Sequence, residues 1–225
     1  MSWLQDALSN RVITEQLPEA TLETLYMTGL SSLATVLLGL PLGLALVATA
    51  PGGLRPARAV NAALATVVNV GRSFPFVILM IAILPLTRLI TGTTYGWLSA
   101  VVPLSLAATP FFARLVENAV RDVSAGKVEA ARMVGASRLG IVGGVLVREA
   151  LPALVGGATV TVITLVGYSA MAGALGAGGL GALAVNHGYN RFQTDVMVVT
   201  VVVIIVLVQL VQMLGDRVVR LVDHR

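Results

Sequence analysis

The sequence predicts an all-α integral membrane protein with five transmembrane helices. Hydrophobic residues make up 56% of the 225 residues and charged residues only 12%, whereas a soluble domain carries about 25% charged residues. So little charge cannot cover a water-facing surface, and lipid is therefore the predicted solvent. The chain contains no cysteine, which excludes a disulfide or a thiolate metal site.

Five apolar segments of a single domain, residues 1–225, are long enough to cross a bilayer, for which a helix needs about 20 residues. They are residues 25–48, 60–86, 97–116, 151–175 and 196–214. The fifth is rich in Val and Ile, which favour strands in water, but in lipid a helix satisfies its own backbone groups. Four prolines within the spans predict breaks in the helical hydrogen bonding, as packing kinks or along a pathway. They are Pro41, Pro75, Pro103 and Pro110.

Positive charge marks one side of the predicted membrane. It lies between the first and second spans, in a loop of about residues 121–150, and after the fifth span. Cytoplasmic loops carry an excess of Lys and Arg, so the N-terminus is expected outside and the C-terminus inside. The net charge of +4 then indicates attraction to an anionic membrane face and not to nucleic acid. The residues are Arg55, Arg58, Arg121, Lys127, Arg132, Arg138, Arg148, Arg217, Arg220 and Arg225.

The loop between the third and fourth spans is predicted to contain two helices. The first covers Lys127–Val134, and Gly135 is expected to end it in the left-handed conformation. Ser137 is a good N-cap for a second helix over about residues 138–149. Pro152 is expected at the start of the fourth span, where the missing backbone donor costs least.

The first loop helix has an apolar face with charged edges. A short exposed helix is only marginally stable alone, because its nucleation is costly, and it becomes stable when it docks in a groove of a partner. The alternative is a loop helix that contacts only its own bundle. The face consists of Val128, Ala131 and Val134, bordered by Glu129, Arg132 and Met133.

The same loop resembles the EAA loop of bacterial ABC importer permeases. Glu129, Ala130 and Ala131 are followed after three residues by Gly135, and hydrophobic residues follow at the family's spacing, although Arg148 replaces the family's proline. The resemblance implies a coupling helix that sits in a cleft of a cytoplasmic ATPase subunit. The residues to which it assigns this role are Lys127, Val128, Glu129, Ala130, Ala131, Arg132, Met133 and Gly135.

Further motifs resemble methionine importer permeases. They are residues 72–76, 110–118, 165–173, 176–181 and 215–217. The resemblance implies a type I ABC importer permease fold and a homodimer in the bacterial cytoplasmic membrane. It also implies two copies of an ATPase subunit, which bind ATP and Mg, and an extracytoplasmic methionine-binding protein. The chain would then move L- or D-methionine by alternating access, with no cofactor and no catalytic activity of its own.

Two groups of residues are candidates for the translocation pathway. Arg72 lies within the second span, where a charge costs about 2.5–3.5 kcal/mol. It is expected to attract a substrate carboxylate, cap helix carbonyls or pair with Glu117. By the resemblance, Tyr168, Ser169 and Met171 line the pathway, with Met171 as the gate. The alternative is packing, because Met fills irregular gaps well.

Other chemistry has little support in the sequence. Residues 176–181 fit the dinucleotide-binding motif G-x-G-x-x-G. That motif requires a preceding strand, whereas an apolar span precedes these residues, and we therefore expect a turn or a close approach of helices here. No phosphate-binding loop of the Walker A type occurs, and His187 and His224 lack metal-ligand spacing. Two rival functions stay open: import of another solute, such as a polar amino acid or an osmoprotectant, or gradient-driven transport. A gradient-driven carrier should show intramembrane carboxylate pairs or an inverted repeat, which the sequence lacks.

Overall fold

The computed structural model describes residues 9–223, so His224 and Arg225 lie outside the described residues. Most of this part of the chain is helical. The helices are α1 (Val12–Thr49), α2 (Arg58–Ser73), α3 (Phe76–Ala82), α4 (Leu84–Thr91), α5 (Trp97–Arg121), α6 (Ala125–Met133), α7 (Arg138–Ala177), α8 (Gly179–Leu183) and α9 (Thr194–Val222). A π-helical turn, Ala184–Tyr189, extends α8.

Within the described residues, four helices are long and apolar enough to cross a membrane, namely α1, α5, α7 and α9. A fifth span exists if α2 and α3 count as one interrupted span. The break that Pro75 predicts within residues 60–86 is present, because the helix stops at Ser73 and restarts at Phe76. Pro75 adopts φ −60° and ψ 130°, which is extended. Proline also disfavours the helical conformation of the residue before it, and this explains the break.

The fourth span is longer than the sequence predicted. Ser137 caps it as expected, because its Oγ accepts a hydrogen bond from the Gly140 N–H at 3.1 Å. The helix then runs from Arg138 to Ala177, with a π-helical turn at Val142–Val147 and a kink near its end at Gly176, whose φ of +98° is not helical. The predicted second loop helix and fourth span are therefore one element. The placement of Pro152 at the start of a separate helix is wrong, since it lies inside α7.

The chain divides into two compact units, each drawn from three segments. The first unit is Met1–Leu33, Phe74–Ala107 and Val162–Gln212, and the second is Ala34–Ser73, Ala108–Thr161 and Met213–Arg225. In the second unit, Phe112 and Val116 of α5 pack with Ile141 and Leu146 of α7 in one core. This core positions the loop that contains α6.

In the second unit, α1 and α5 approach each other closely at a glycine. A Cβ atom on Gly43 would lie 2.5 Å from the Ala113 carbonyl oxygen and 2.6 Å from the Val116 Cβ. Small residues let the backbones of membrane helices approach closely, and dispersion forces between the helices then stabilise the contact. Gly43 therefore fixes α1 against α5.

In the first unit, α1 caps the glycine-rich turn that precedes α8. Glu23 Oε2 accepts a hydrogen bond from the Gly179 N–H at 2.6 Å, and Thr24 Oγ1 accepts one from the Leu180 N–H at 2.9 Å. Gly178 and Gly179 have φ of +81° and +73°, values that favour glycine. The G-x-G-x-x-G sequence thus serves as a turn here, preceded by a helix and not by a strand.

Candidate functional site

The loop helix α6 forms close to where the sequence predicted it. It begins after Ser124, whose ψ of 126° is not helical, and it runs from Ala125 to Met133. Gly135 has φ +77°, and its N–H donates to the Arg132 carbonyl at 3.0 Å. The left-handed end at Gly135 is confirmed, while the helix starts two residues earlier than predicted.

The apolar face of α6 packs against its own bundle. Val128 and Ala131 are half-buried against the core of the second unit. Lys127 Nζ also bonds Glu149 Oε2 of α7 at 2.5 Å. Of the predicted face, Val128 and Ala131 therefore contact the chain's own core, which is the alternative that the sequence left open. Val134 follows the helix end and is 84% exposed.

Three large apolar side chains of the loop are exposed. Met133 is 85% exposed, and Val134 and Leu139 are each 84% exposed. We call these three residues the exposed apolar group. Glu129 and Ala130 are exposed beside it on α6. Exposed apolar side chains grouped with charged ones are typical of a protein contact surface. Leu139 was missed in the sequence, although an apolar residue directly after the predicted cap at Ser137 was a usable signal.

The three predicted pathway residues of α7 lie in different surroundings within the first unit. The Tyr168 ring stacks on the Phe76 ring, with centroids 4.7 Å apart and planes 5° apart. Ser169 is 2% exposed, and its Oγ donates to the Val166 carbonyl at 2.7 Å. Met171 is 43% exposed. Helical phase therefore turns Ser169 into the interior of the unit, and Met171 is the member of the three that a pathway would reach most readily.

Residues 36–225 match the family of binding-protein-dependent transport system inner membrane components. The chain belongs to this family. It is 49% identical over 206 residues to the "Probable D-methionine transport system permease protein MetI" of Vibrio cholerae, and the match covers 92% of each chain. It is 45% identical over 210 residues to the "Methionine import system permease protein MetP" of Bacillus subtilis, covering 93% of this chain and 95% of the relative.

A solved structure of the MetNI methionine ABC transporter in an inward-facing conformation has the same fold. The TM-score is 0.93 at 44% sequence identity, and the match covers 96% of this chain and 100% of that chain. The predicted family and the type I ABC importer permease fold are therefore confirmed. As an inner membrane component, the chain is a membrane protein with several apolar helices.

This inner membrane component buries a carboxylate between two arginines in its second unit. Glu117 is 3% exposed and receives Arg114 Nη1 on Oε2 and Arg121 Nη2 on Oε1, each at 2.5 Å. Arg114 Nη2 also donates to Asn69 Oδ1 at 2.6 Å, which joins α2 to α5. A buried charge must be paired in this way, since leaving it alone costs several kcal/mol (about 3–5).

The suggested pairing of Arg72 with Glu117 is not found. Two arginines on the same helix as Glu117, Arg114 and Arg121, bind both of its carboxylate oxygens. Arg72 lies exposed near the end of α2. Arg114 and Arg121 lie three residues before and four residues after Glu117, and this spacing in the sequence was the better guide to the ion-pair partners of Glu117.

Proposed function

We propose that this chain is the permease subunit of an ATP-driven importer that moves methionine across the bacterial cytoplasmic membrane by alternating access. The observation that carries the proposal is the match, over nearly the whole chain, to a solved methionine ABC transporter. Relatives named as methionine permeases in Vibrio cholerae and Bacillus subtilis support the same solute. The arginine-rich loops support an orientation with the N-terminus outside and the C-terminus inside.

The chain works in an assembly and performs no catalysis itself. Two copies form the transmembrane core, and each binds one ATPase subunit on the inner face and receives methionine from a binding protein on the outer face. The ATPase subunits supply the ATP and Mg sites, so this chain needs no cofactor. The exposed apolar group, together with Ala130 of α6, supports contact with the ATPase, because Met133 and Val134 are almost fully exposed here.

Coupling runs from α6 into α7. Val128, Ala131 and the Lys127–Glu149 ion pair hold α6 against its own bundle, so that α6 cannot move without its neighbours. The helix α7 begins four residues after Val134 and continues past Tyr168 and Met171 to the kink at Gly176. A displacement of α6 on closure of the ATPase pair therefore reaches the region of Tyr168 and Met171 through one helix.

Met171, Tyr168 and Arg72 are the proposed pathway residues. Met171 is exposed and flexible enough to close a narrow passage against its symmetry mate. Arg72 is exposed and offers an anion partner for the substrate carboxylate. Ser169 contributes to the shape of α7 from inside the unit and not to a direct contact.

The test is uptake by the complete complex in proteoliposomes. The permease, its ATPase and the methionine-binding protein are reconstituted, and uptake of labelled L- and D-methionine is measured with and without ATP. Competition by unlabelled glutamine and glycine betaine tests the rival solutes. Import of methionine that requires ATP and resists both competitors is expected. Uptake that persists without ATP and collapses with an ionophore would establish a gradient-driven carrier instead.

A further inference from the structure

A cavity of about 250 Å³ lies beneath α6 in the second unit. It is lined by residues near the ends of α1 and α5, by α6 and by the first turns of α7. None of the proposed pathway residues lines it. Its existence means that Val128 and its neighbours hold α6 on the bundle without filling the space behind it.

The inner wall of the cavity is aliphatic. Val120 is 2% exposed and Leu146 is 7% exposed, and half-buried Leu44, Val47 and Val142 complete the wall. An apolar wall of this kind favours an apolar ligand group, because ligand pockets are mostly apolar with a few polar groups that fix orientation.

The rim of the cavity carries charges of both signs. Arg121, Glu129 and Arg132 line it and are exposed. Arg121 already forms an ion pair with Glu117 through its Nη2 atom. Among residues 9–223, Glu129 and Arg132 form no ion pair within 4.0 Å. The rim therefore offers one carboxylate and one full guanidinium, with a second guanidinium that is partly used.

We propose that this cavity binds a zwitterionic amphiphile, that is, a molecule with an ammonium group and an anionic group at one end of an apolar tail. Arg132, with the remaining N–H groups of Arg121, binds the anion, and Glu129 binds the ammonium. The tail lies on the aliphatic wall. A purely anionic head would face Glu129 and a purely cationic head would face the arginines, so the zwitterion is the matching charge pattern.

Two sources carry this chemistry. One is an ethanolamine phospholipid, because the cavity lies where α1 and α5 end on the arginine-rich side of the chain. The other is a free apolar amino acid. Either occupant contacts Val128 on the bundle side of α6, away from the exposed apolar group. Occupancy would thus change how firmly α6 is held, which regulates coupling without occupying the pathway.

The absence of cysteine in the sequence makes single-cysteine reporters possible. Ala48→Cys introduces a thiol in the cavity wall, and Ala136→Cys introduces a control thiol at an exposed residue that does not line it. The assembled complex is placed in lipid discs of phosphatidylglycerol alone, of an equal mixture with phosphatidylethanolamine, or of phosphatidylglycerol with methionine added. The rate of maleimide labelling at each position is read by peptide mass spectrometry.

Phosphatidylethanolamine or methionine is expected to slow the maleimide labelling of Ala48→Cys. The labelling rate should fall about tenfold when about 90% of the sites are occupied. The Ala136→Cys rate should not change, and adding Arg132→Gln or Glu129→Gln should remove the protection. The probe that protects identifies the source. Equal labelling in all three discs, or a protection that survives both charge substitutions, would overturn the proposal. Native mass spectrometry of the unmodified complex checks lipid retention independently of the variants, and neither readout depends on transport.

Discussion

Replacing Met133 with serine should weaken the contact with the ATPase and leave the fold of the permease intact. Met133 is 85% exposed, so its loss removes almost no packing within the chain. Burying this side chain in a partner is worth about 1.5–3 kcal/mol. At about 1.4 kcal/mol per factor of ten, each copy of the ATPase should bind about 10 to 150 times more weakly.

The assay is a titration of detergent-solubilised permease with labelled ATPase, followed by thermal unfolding of the permease alone. The control is Leu221→Ser, which removes another apolar side chain that is 77% exposed, close to the end of α9. The control should keep the wild-type affinity, and both variants should keep the wild-type unfolding temperature. Wild-type affinity for Met133→Ser would refute the assignment of the exposed apolar group to the ATPase contact.

Three further predictions test the packing, the buried charge and the gate. Gly43→Ala should lower the free energy of unfolding by about 1–3 kcal/mol, because the new Cβ atom would overlap backbone and Cβ atoms of α5. The control is Gly29→Ala on the same helix, where a Cβ atom would meet nothing within 4 Å, and thermal unfolding compares the two variants. Glu117→Gln should lower the free energy of unfolding by about 1–3 kcal/mol, because it leaves two guanidinium groups without their carboxylate. Glu15→Gln, which removes an exposed pair, should lower it by less than about 1 kcal/mol. A larger loss for Glu15→Gln than for Glu117→Gln would contradict this prediction. Met171→Ala should raise basal ATP hydrolysis and lower methionine uptake by the reconstituted complex, and no change in either would remove Met171 from the gate.

Local signals in the sequence predicted local structure well. Ser137 and Gly135 act through their own backbone geometry and nearest neighbours, so the cap and the left-handed turn could be foreseen. The break at Pro75 has the same local origin. Its extent was missed because the apolar run continues through it, and composition alone indicates one continuous span.

The faces of helices were harder to predict, because periodicity shows which residues share a face but not which neighbour contacts it. Val128 and Ala131 were correctly grouped, but the pattern did not show that they pack on the chain's own core. Likewise, Ser169 and Met171 are close in sequence but differ in exposure, which depends on how the first unit packs around α7. The pairing of Glu117 was foreseeable from spacing along α5 and needed no tertiary information.

The central claim is that α6 transmits the work of a separate ATPase to methionine import, and a reversible crosslink tests it most directly. Ala130→Cys, on the exposed side of α6, is joined to a cysteine in the partner by a cleavable reagent in the complete complex. The account predicts that the ATPase is captured, that methionine uptake stops and that cleavage of the crosslink restores it. Absence of any capture while ATP-dependent uptake proceeds at the normal rate would contradict it.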